Sequence, residues 1–342
     1  MPPTEPQPIL SHPTESSIFL VVTVRSGSEV DVADVLADAS GIKRSVGFRV
    51  PEAELTLVVG IGAALWDRVN GGPRPAGLHP FRELVGSRHT AVATPGDLLF
   101  HIRAHRFDLC FELAQRLTDR LRGLADVVDE VHGFRSFDDR DVLGFVDGTE
   151  NPEGLAATEA VLIGDEDAAF AGGSYVIVQK YVHDLAAWDA LSTEQQEAVI
   201  GRTKLTDIEF PDEDKAPNSH LALNVITGPD GEERQIMRFN MPFGRVGVAE
   251  FGTYYIAYAR TSELIELMLT NMFIGDPPGN TDRILDFSTA VTGNLFFVPA
   301  AELLENLVPD PAEASTPAPD PEPESEPGDG SLRIGSLRDQ PG

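Results

Sequence analysis

The chain has 342 residues and a net charge of −29, because 26 basic residues stand against 55 acidic ones. This excess of negative charge would repel a nucleic acid or an anionic membrane, so neither is expected as a partner. Hydrophobic residues make up 42% of the chain, enough for a sizeable core, and the single cysteine, Cys110, allows neither a disulfide framework nor a thiolate metal cluster.

The N-terminal residues 1–16 are rich in proline and threonine and are predicted to be flexible. No Lys or Arg precedes Arg25 and no apolar segment lies near the start, so no secretory or twin-arginine signal is expected. The longest apolar run, 55–66, is too short and too interrupted by glycine to cross a bilayer. These features and the lone cysteine predict a protein of the cytoplasm.

Residues 17–142 are predicted to form one α+β domain. Apolar and β-branched runs predict strands at 17–24, 55–62, 97–104 and 127–134. Apolar residues at helical spacing predict helices at 30–42 and 107–121. Two β-α-β units in this order are typical of a split βαβ sheet with helices packed on one face.

Residues 143–308 are predicted to form a second α+β domain of similar plan. Strands are expected at 174–182, 221–227, 235–241 and 252–259. Helices are expected at 192–202, where Ser192 and Gln195 form a capping-box pattern, and at 264–273. The similarity of the two domains rests on the order of their elements, since the two halves share no obvious sequence identity.

The composition changes abruptly after residue 308. The segment 309–330 has seven prolines and seven acidic residues with no Lys or Arg, which predicts an extended linker without a core of its own. Apolar residues return in 331–342, at Leu332, Ile334 and Leu337. We interpret this end as an anchor peptide on a tether, with a meaningless frayed end as the alternative.

The stretch 143–154 places one carboxylate, Asp147, between apolar residues and a glycine. An Asp-Gly step is a strong turn signal, because glycine tolerates positive φ and Asp bonds to nearby backbone groups. A surface turn is therefore the simplest interpretation. The apolar neighbours Leu143, Phe145 and Val146 favour the alternative, which is a carboxylate at the edge of an enclosed cavity.

A histidine and an arginine further along have settings that favour an internal site. His220 opens the strand predicted at 221–227 and would point inward from a sheet edge, although a hydrogen-bonded core histidine is the simpler interpretation. Alternation with apolar neighbours places Arg238 and Asn240 on one face of a strand. A buried guanidinium requires an anion, and either Asp147 or an acidic group of a cofactor would serve.

A second pair of histidines, His101 and His105, has the i, i+4 spacing of half a metal site. Arg103 and Arg106 crowd the pair, no carboxylate pattern completes it, and His101 falls in a predicted strand. A metal site is therefore not expected there.

Together, the stretch from Gly144 to Gly148, His220 and the segment 238–240 resemble the dye-decolourising peroxidase family of haem enzymes. The resemblance is closest to the bacterial B-type branch of that family and covers roughly residues 15–305. The end of the chain, 331–338, is similar to the peptide that loads such peroxidases into encapsulin shells.

The resemblance implies a set of site residues. It makes haem b the cofactor and His220 the axial ligand of the haem iron. The carboxylate that would bond the second ring nitrogen is Asp282, with Asp286 as the alternative. The other implied residues are Arg202, beside a haem propionate, and Asp147, Arg238 and Asn240, on the face where hydrogen peroxide binds.

The resemblance also implies a fold and a function. The fold is α+β: two ferredoxin-like (split βαβ) domains in a dimeric α+β barrel-like arrangement, with haem between sheet and helices, in a homo-oligomer. The function is reduction of hydrogen peroxide and oxidation of dyes, phenols or similar one-electron donors through a ferryl intermediate, inside an encapsulin compartment of the cytoplasm.

Dyes and phenols are usually too large to enter an enclosed pocket, so electrons would have to pass between such a donor and the pocket through aromatic side chains. Packing is the simpler role for each of these side chains. The candidates are Trp188, Tyr181, Tyr254, Tyr255 and Tyr258. Two other functions stay open at this point, namely a haem-binding or deferrochelatase-type protein without peroxidase turnover, and a structural scaffold module.

Overall fold

The structure is a computed structural model that describes residues 5–148 and 151–308. The predicted linker at 309–330 and the predicted anchor peptide at 331–342 lie outside the described residues. No helix in the described part of the chain is both long and apolar enough to cross a membrane.

The first half contains six strands and four helices from residue 5 onward, where its description begins. The strands are β1 (Ser16–Val24), β2 (Thr56–Gly62), β3 (Leu84–Val85), β4 (Thr90–Ala91), β5 (Leu98–Ala104) and β6 (Ala125–Phe134). The helices are α1 (Glu29–Ala37), α2 (Ala39–Gly47), α3 (Ala63–Val69) and α4 (Phe107–Arg120). The four strands predicted here are confirmed, and the helix predicted at 30–42 is divided into α1 and α2.

The second half contains eight strands and six helices among the described residues. The strands are β7 (Ser174–His183), β8 (Ile226–Thr227), β9 (Glu233–Arg234), β10 (Met237–Arg238), β11 (Met241–Arg245), β12 (Glu250–Ala259), β13 (Ser288–Ala290) and β14 (Asn294–Val298). The helices are α5 (Gly154–Val161), α6 (Leu185–Asp189), α7 (Thr193–Ile200), α8 (His220–Asn224), α9 (Ser262–Phe273) and α10 (Ala301–Glu305).

Both halves contribute strands to one antiparallel sheet. Its strand order is β10-β12-β7-β14-β2-β5-β1-β6, with β11 on β12 and β13 on β7. The halves meet where β14 pairs with β2, with Phe296 opposite Gly62. The sheet is covered on both faces, since one apolar cluster contains Trp66 and Phe297 and another contains Phe19 and Tyr254. The predicted α+β class is confirmed.

The prediction of a strand at 221–227 is wrong, because this segment begins with helix α8. Ser219 precedes the helix with extended backbone, and its hydroxyl oxygen accepts a hydrogen bond from the Ala222 backbone N–H at 3.4 Å. A serine in this position satisfies a free N–H of the first turn, which favours a helix. His220 is therefore the first residue of a helix and does not lie at a sheet edge.

The strand predicted at 235–241 is interrupted. Strand β10 ends at Arg238, the Phe239 N–H bonds to the Ile256 carbonyl, and β11 begins at Met241. The alternation predicted here still holds, because Met237, Phe239 and Met241 are buried while Arg238 and Asn240 are half-buried. The break places the two polar side chains at the end of the sheet.

The N-terminal segment is more ordered than the prediction of a flexible 1–16 implies. In its described part, Ile9 is fully buried, and the Gln7 amide donates to the carbonyls of Val59, at 3.0 Å, and Pro299, at 2.9 Å. Gln7 also accepts a hydrogen bond from the Val59 N–H at 2.8 Å. These bonds fasten the segment across the seam between the two halves.

Candidate active site

A cavity lies between the sheet and two helices of the second half. It has a volume of about 1400 Å³, including space open to solvent, between residues of β7, β10 and β12 and residues of α8 and α9. Much of its wall is apolar: Leu143, Phe145, Ile200, Leu221, Val225, Ile236, Met268, Leu269, Met272 and Ile284. Among the polar side chains on its wall are Asp141, Asp147, Tyr181, His183, Arg202, His220, Arg238, Asn240 and Tyr255. An apolar wall with few polar groups is typical of a cofactor pocket.

The wall formed by α8 presents the imidazole of His220. Its Nδ1 lies 2.7 Å from Oδ2 of Asp282, a side chain with no exposed surface. The Asn224 amide, one helical turn later, bonds the His220 carbonyl at 2.7 Å. Nε2 of His220 makes no hydrogen bond to any described residue, and 24% of the side chain is exposed.

Asp282 is itself held in place. Its Oδ1 accepts a hydrogen bond from the Ile284 N–H at 2.9 Å, and its own backbone N–H donates to the Met272 carbonyl at 3.0 Å. A carboxylate fixed in this way orients the ring and increases the basicity of the free nitrogen. Asp286, by contrast, pairs with Arg88 at 2.7 Å and with His89 at 3.1 Å.

On the opposite side, Asp147 and Asn240 contact each other. The Asn240 amide nitrogen donates to Oδ2 of Asp147 at 2.8 Å, and the amide oxygen accepts from the Ile256 N–H at 3.0 Å. Gly148 follows Asp147 with φ of +84°, a value that glycine adopts without strain. The turn at Gly148 and the side-chain amide of Asn240, itself bonded to strand β12, thus fix the orientation of Asp147.

Arg238 reaches the cavity from the end of β10. Asn151 fixes its backbone, since the Asn151 amide donates to the Arg238 carbonyl at 2.7 Å and accepts from the Arg238 N–H at 2.8 Å. The guanidinium makes no hydrogen bond or ion pair with the described residues, and Asp147 bonds Asn240 instead. Among the described residues, Asp147 is therefore not a hydrogen-bonding partner of this guanidinium.

Arg202 also lies on the cavity wall, with 7% of its surface exposed. Its Nη1 is 3.0 Å from Oδ1 of Asp207, and its Nη2 is 4.0 Å from Oε2 of Glu209. A carboxylate of the protein therefore already faces this guanidinium on one side.

Asp141 and His183 are titratable groups of the cavity whose displaced pKa values bear on their charge near neutral pH. Burial raises the pKa of Asp141 to about 7, and the charge of Asp147 adds to the increase while hydrogen bonds from backbone N–H groups oppose it. Burial lowers the pKa of His183 to about 4, so this imidazole is neutral at physiological pH. His183 bonds the hydroxyls of Ser288 and Thr253 at 2.7 and 3.0 Å.

The other histidines and aromatic residues singled out in the sequence lie in the core, at the surface or on the cavity wall. His101 is fully buried and bonds the Tyr258 hydroxyl at 2.8 Å, while His105 faces Glu15. Within the described ranges, no group of three side chains could hold a metal ion. Trp188, Tyr254 and Tyr258 are buried in apolar clusters, whereas Tyr181 and Tyr255 line the cavity.

Sequence reasoning missed three residues that support the site. Ser219 and Asn224 were missed because the sequence predicts a strand at 221–227. Their spacing around His220 nevertheless fits one turn of a helix. Asn151 was missed because no local signal indicates that its side-chain amide pairs with the backbone of Arg238.

Comparison with known proteins identifies both halves of the chain. The N-terminal Dyp-type peroxidase model matches residues 6–135, and the C-terminal Dyp-type peroxidase model matches residues 138–303. A dye-decolorizing peroxidase of Mycobacterium tuberculosis is 58% identical over 341 residues, which cover 100% of this chain and 99% of that protein. One from Rhodococcus erythropolis is 59% identical over 337 residues, which cover 98% of each chain.

Solved structures agree with these matches. The encapsulated DyP-type peroxidase from Mycobacterium smegmatis is 59% identical, with a TM-score of 0.88 over 90% of this chain and 99% of that one. A Rhodococcus jostii DypB variant in complex with heme is 55% identical, with a TM-score of 0.87 over 88% of this chain and 98% of that one. The predicted family, the peroxidase activity and the fold are thereby confirmed, and the chain belongs to the Dyp-type peroxidase family.

Proposed function

We propose that the cavity binds haem b, with Nε2 of His220 as the axial ligand of the iron. Hydrogen peroxide is reduced on the side of Asp147, Arg238 and Asn240, and dyes, phenols or similar one-electron donors are oxidised. The observation that carries this proposal is the imidazole of His220, which has one nitrogen bonded to a buried carboxylate and the other without a partner in the described chain.

The residues present fit a haem group. A neutral imidazole whose second nitrogen is bonded to a carboxylate is a common ligand of haem iron. Apolar side chains from α9, including Met268 and Met272, suit the porphyrin ring, and the guanidinium of Arg202 on the same wall suits a propionate. Similar proteins support the fit, since the Rhodococcus jostii neighbour contains heme.

The cysteine content supports haem b over haem c. Covalent attachment of haem c uses two cysteines beside a histidine, and this chain has one cysteine, which is buried in α4. Haem b is held without such bonds, by an axial ligand and by packing.

Bound haem would supply the iron on which peroxide is reduced. The carboxylate of Asp147 takes a proton from one peroxide oxygen and delivers it to the other, directly or through a water that it holds. The guanidinium of Arg238 stabilises the negative charge that develops as the O–O bond breaks. Asn240 orients Asp147 through the 2.8 Å hydrogen bond between their side chains.

A haem-carrying protein without turnover would require His220 and nothing from the opposite side. The arranged carboxylate, amide and guanidinium favour a peroxidase over that alternative, as does the family. Peroxide-dependent bleaching of a dye by the purified holoprotein separates the two.

The direct test compares His220→Ala with His132→Ala, a control at an exposed histidine of β6. We expect the wild type and the control to purify with a Soret band and to oxidise a dye with peroxide. We expect the His220 variant to lose both. Full haem content and full turnover in the His220 variant would refute the assignment.

The chain is further proposed to act in the cytoplasm as a homo-oligomer packaged in an encapsulin shell through residues 331–338. The encapsulated neighbour from Mycobacterium smegmatis supports this destination. Deleting residues 331–342 should abolish loading into the shell and leave peroxidase activity intact. Lost activity with unchanged loading would overturn this division of roles, and light scattering measures the number of subunits.

A further inference from the structure

A second cavity adjoins the first and encloses about 1030 Å³, counted to its opening into solvent. The two cavities share five lining residues, which are Asp141, Asp147, Gly148, Arg238 and Asn240. Only Asp141 and Asp147 among these carry a carboxylate. The two acids therefore stand where the cavities meet.

A tight turn fixes Asp141 at this junction. Its backbone N–H donates to the Phe145 carbonyl at 2.9 Å, and its Oδ1 accepts from the Phe145 N–H at 3.0 Å. Gly144 bonds the Asp141 carbonyl at 3.1 Å and has φ of +90°, which lets the chain fold back over the carboxylate. These hydrogen bonds to backbone groups fix the position of the Asp141 carboxylate.

Arg140, the cation next to Asp141 in the chain, has other partners. It donates to the Gly144 and Lys204 carbonyls and pairs with Asp138 at 3.2 Å. Within the described chain, Asp141 forms no ion pair. Charged groups around the junction are Asp147 and Arg140 from its own segment, Arg202 and Lys204 after α7, Arg238 on β10, and Arg103, Arg135 and Asp139 at the second cavity.

Burial, with a smaller contribution from a neighbouring charge, raises the pKa of Asp141. Burial and the like charge of Asp147 favour its protonated form and raise its pKa to about 7. An acid with such a pKa is present in both protonation states near neutral pH, so it accepts and donates protons with similar ease.

Peroxide reduction requires protons inside the cavity. One H₂O₂, two electrons and two protons give two water molecules, whereas donors such as phenols release their own protons where they are oxidised. Cleavage of the O–O bond alone moves a proton within the peroxide through Asp147 and consumes none. The two net protons must therefore enter from solvent once per turnover.

We infer that Asp141 relays these protons from the second cavity to Asp147. The carboxylate of Asp141 takes a proton from solvent, passes it to the carboxylate of Asp147, and returns to its ionised form. This role rests on the proposed function, because it presumes peroxide reduction beside Asp147.

The test is Asp141→Asn, with Asp138→Asn as the matched control, since Asp138 lies in the same segment and is 76% exposed. We expect kcat of the Asp141 variant to fall by about 10- to 100-fold, within or below the usual contribution of a positioned acid–base group. We expect the rate of peroxide cleavage in a single turnover, and kcat/KM for peroxide, to stay within about twofold of wild type, because cleavage consumes no proton. Acetic acid, a small permeant acid, should restore kcat in proportion to its concentration.

An infrared difference spectrum of the wild-type holoprotein, taken on either side of about pH 7, provides a readout independent of turnover. A protonated carboxyl band should titrate in the wild type and in Asp138→Asn, and be missing from Asp141→Asn. If the Asp141 variant does not fold, the absence of such a band from the wild type alone overturns the relay.

The outcomes separate the relay from the proposed function. A wild type without haem or peroxide turnover refutes the proposed function. An active wild type with an unchanged kcat and pH profile in Asp141→Asn refutes the relay alone. An equal loss of kcat and of the cleavage rate also refutes it, because Asp141 would then only position Asp147.

Discussion

The two walls of the cavity are built in opposite ways. On the helix wall, the imidazole of His220 is held by Asp282, a buried carboxylate with a hydrogen bond on each oxygen. On the strand wall, the guanidinium of Arg238 has no partner among the described residues, and Asp147 is held there by the amide of Asn240.

The two walls differ in their hydrogen-bonded partners because they have different functions. A wall whose histidine is fixed by a hydrogen-bonded carboxylate holds a bound group in one orientation. A wall with an unpaired positive charge, such as the guanidinium of Arg238, can stabilise negative charge that appears only during the reaction. Substitutions on the helix wall should therefore change haem binding, and those on the strand wall should change peroxide cleavage.

The largest effect is expected on the strand wall, from Arg238→Ala. Loss of this guanidinium should slow peroxide cleavage by about 10²–10³-fold, as is usual when one stabilising donor is removed. Haem content should stay unchanged. Rapid mixing of the holoprotein with peroxide measures the rate, with Arg245→Ala as control because that arginine is 69% exposed and pairs with Glu250.

The comparison with Asp147→Ala then decides which group dominates. If cleavage by Arg238→Ala is as fast as in the wild type while Asp147→Ala is slow, the role of the arginine is wrong.

On the helix wall, Asp282→Asn should reduce haem affinity or turnover by about 10- to 100-fold, the usual effect of losing a partner behind a metal ligand. The same change at Asp286, which pairs with Arg88 and His89, is the control. Haem titration and the steady-state rate measure both variants. Equal losses in the two would contradict the assignment of Asp282 as the partner of His220.

The junction at Asp141 predicts a dependence of stability on pH. Its pKa in the folded protein, about 7, lies above the ordinary 3.8, so the folded state binds a proton that the unfolded chain releases between these values. The contribution of Asp141 to the free energy of unfolding therefore falls as pH rises through this window. The free energy of unfolding of Asp141→Asn minus that of the wild type, measured with urea, should therefore increase from about pH 5 to pH 8. A decrease over this range would contradict the raised pKa.

The smallest effect is expected from Ser219→Ala, which removes the hydroxyl that caps α8. A lost cap costs about 1 kcal/mol, and here the loosened turn carries His220, so haem affinity should fall as well. Ser192→Ala removes the matching cap of α7, where the serine hydroxyl accepts from the Gln195 N–H. The control should lose similar stability and keep its haem affinity; equal affinity losses would show that α8 has no special role.

Much of the fold was predictable because long strands carry strong patterns. β1, β5 and β7 are buried along most of their length, so apolar residues dominate their sequences and identify them without tertiary information. The pairing of β14 with β2 was not predictable, because it joins residues far apart in the chain. No local sequence pattern indicates which strand of one half pairs with which strand of the other half.

The site was predictable in its residues and not in its architecture. The resemblance to the family indicated His220, Arg238 and Asp147, and all three line one cavity. The helix under His220 was missed, because the apolar residues after it fit a strand as well as one buried turn, and five residues are too few for periodicity to decide. The titration of Asp141 depends on burial and on a neighbouring charge, which only the folded chain brings together.

The most direct test of the account is the nitrogen coordination of the iron in the ferric holoprotein, measured by pulsed electron paramagnetic resonance with ¹⁵N-labelled histidine. The account predicts coupling from one imidazole nitrogen, which disappears in His220→Ala and is unaffected in His132→Ala. The same histidine coupling in the His220 variant would contradict it.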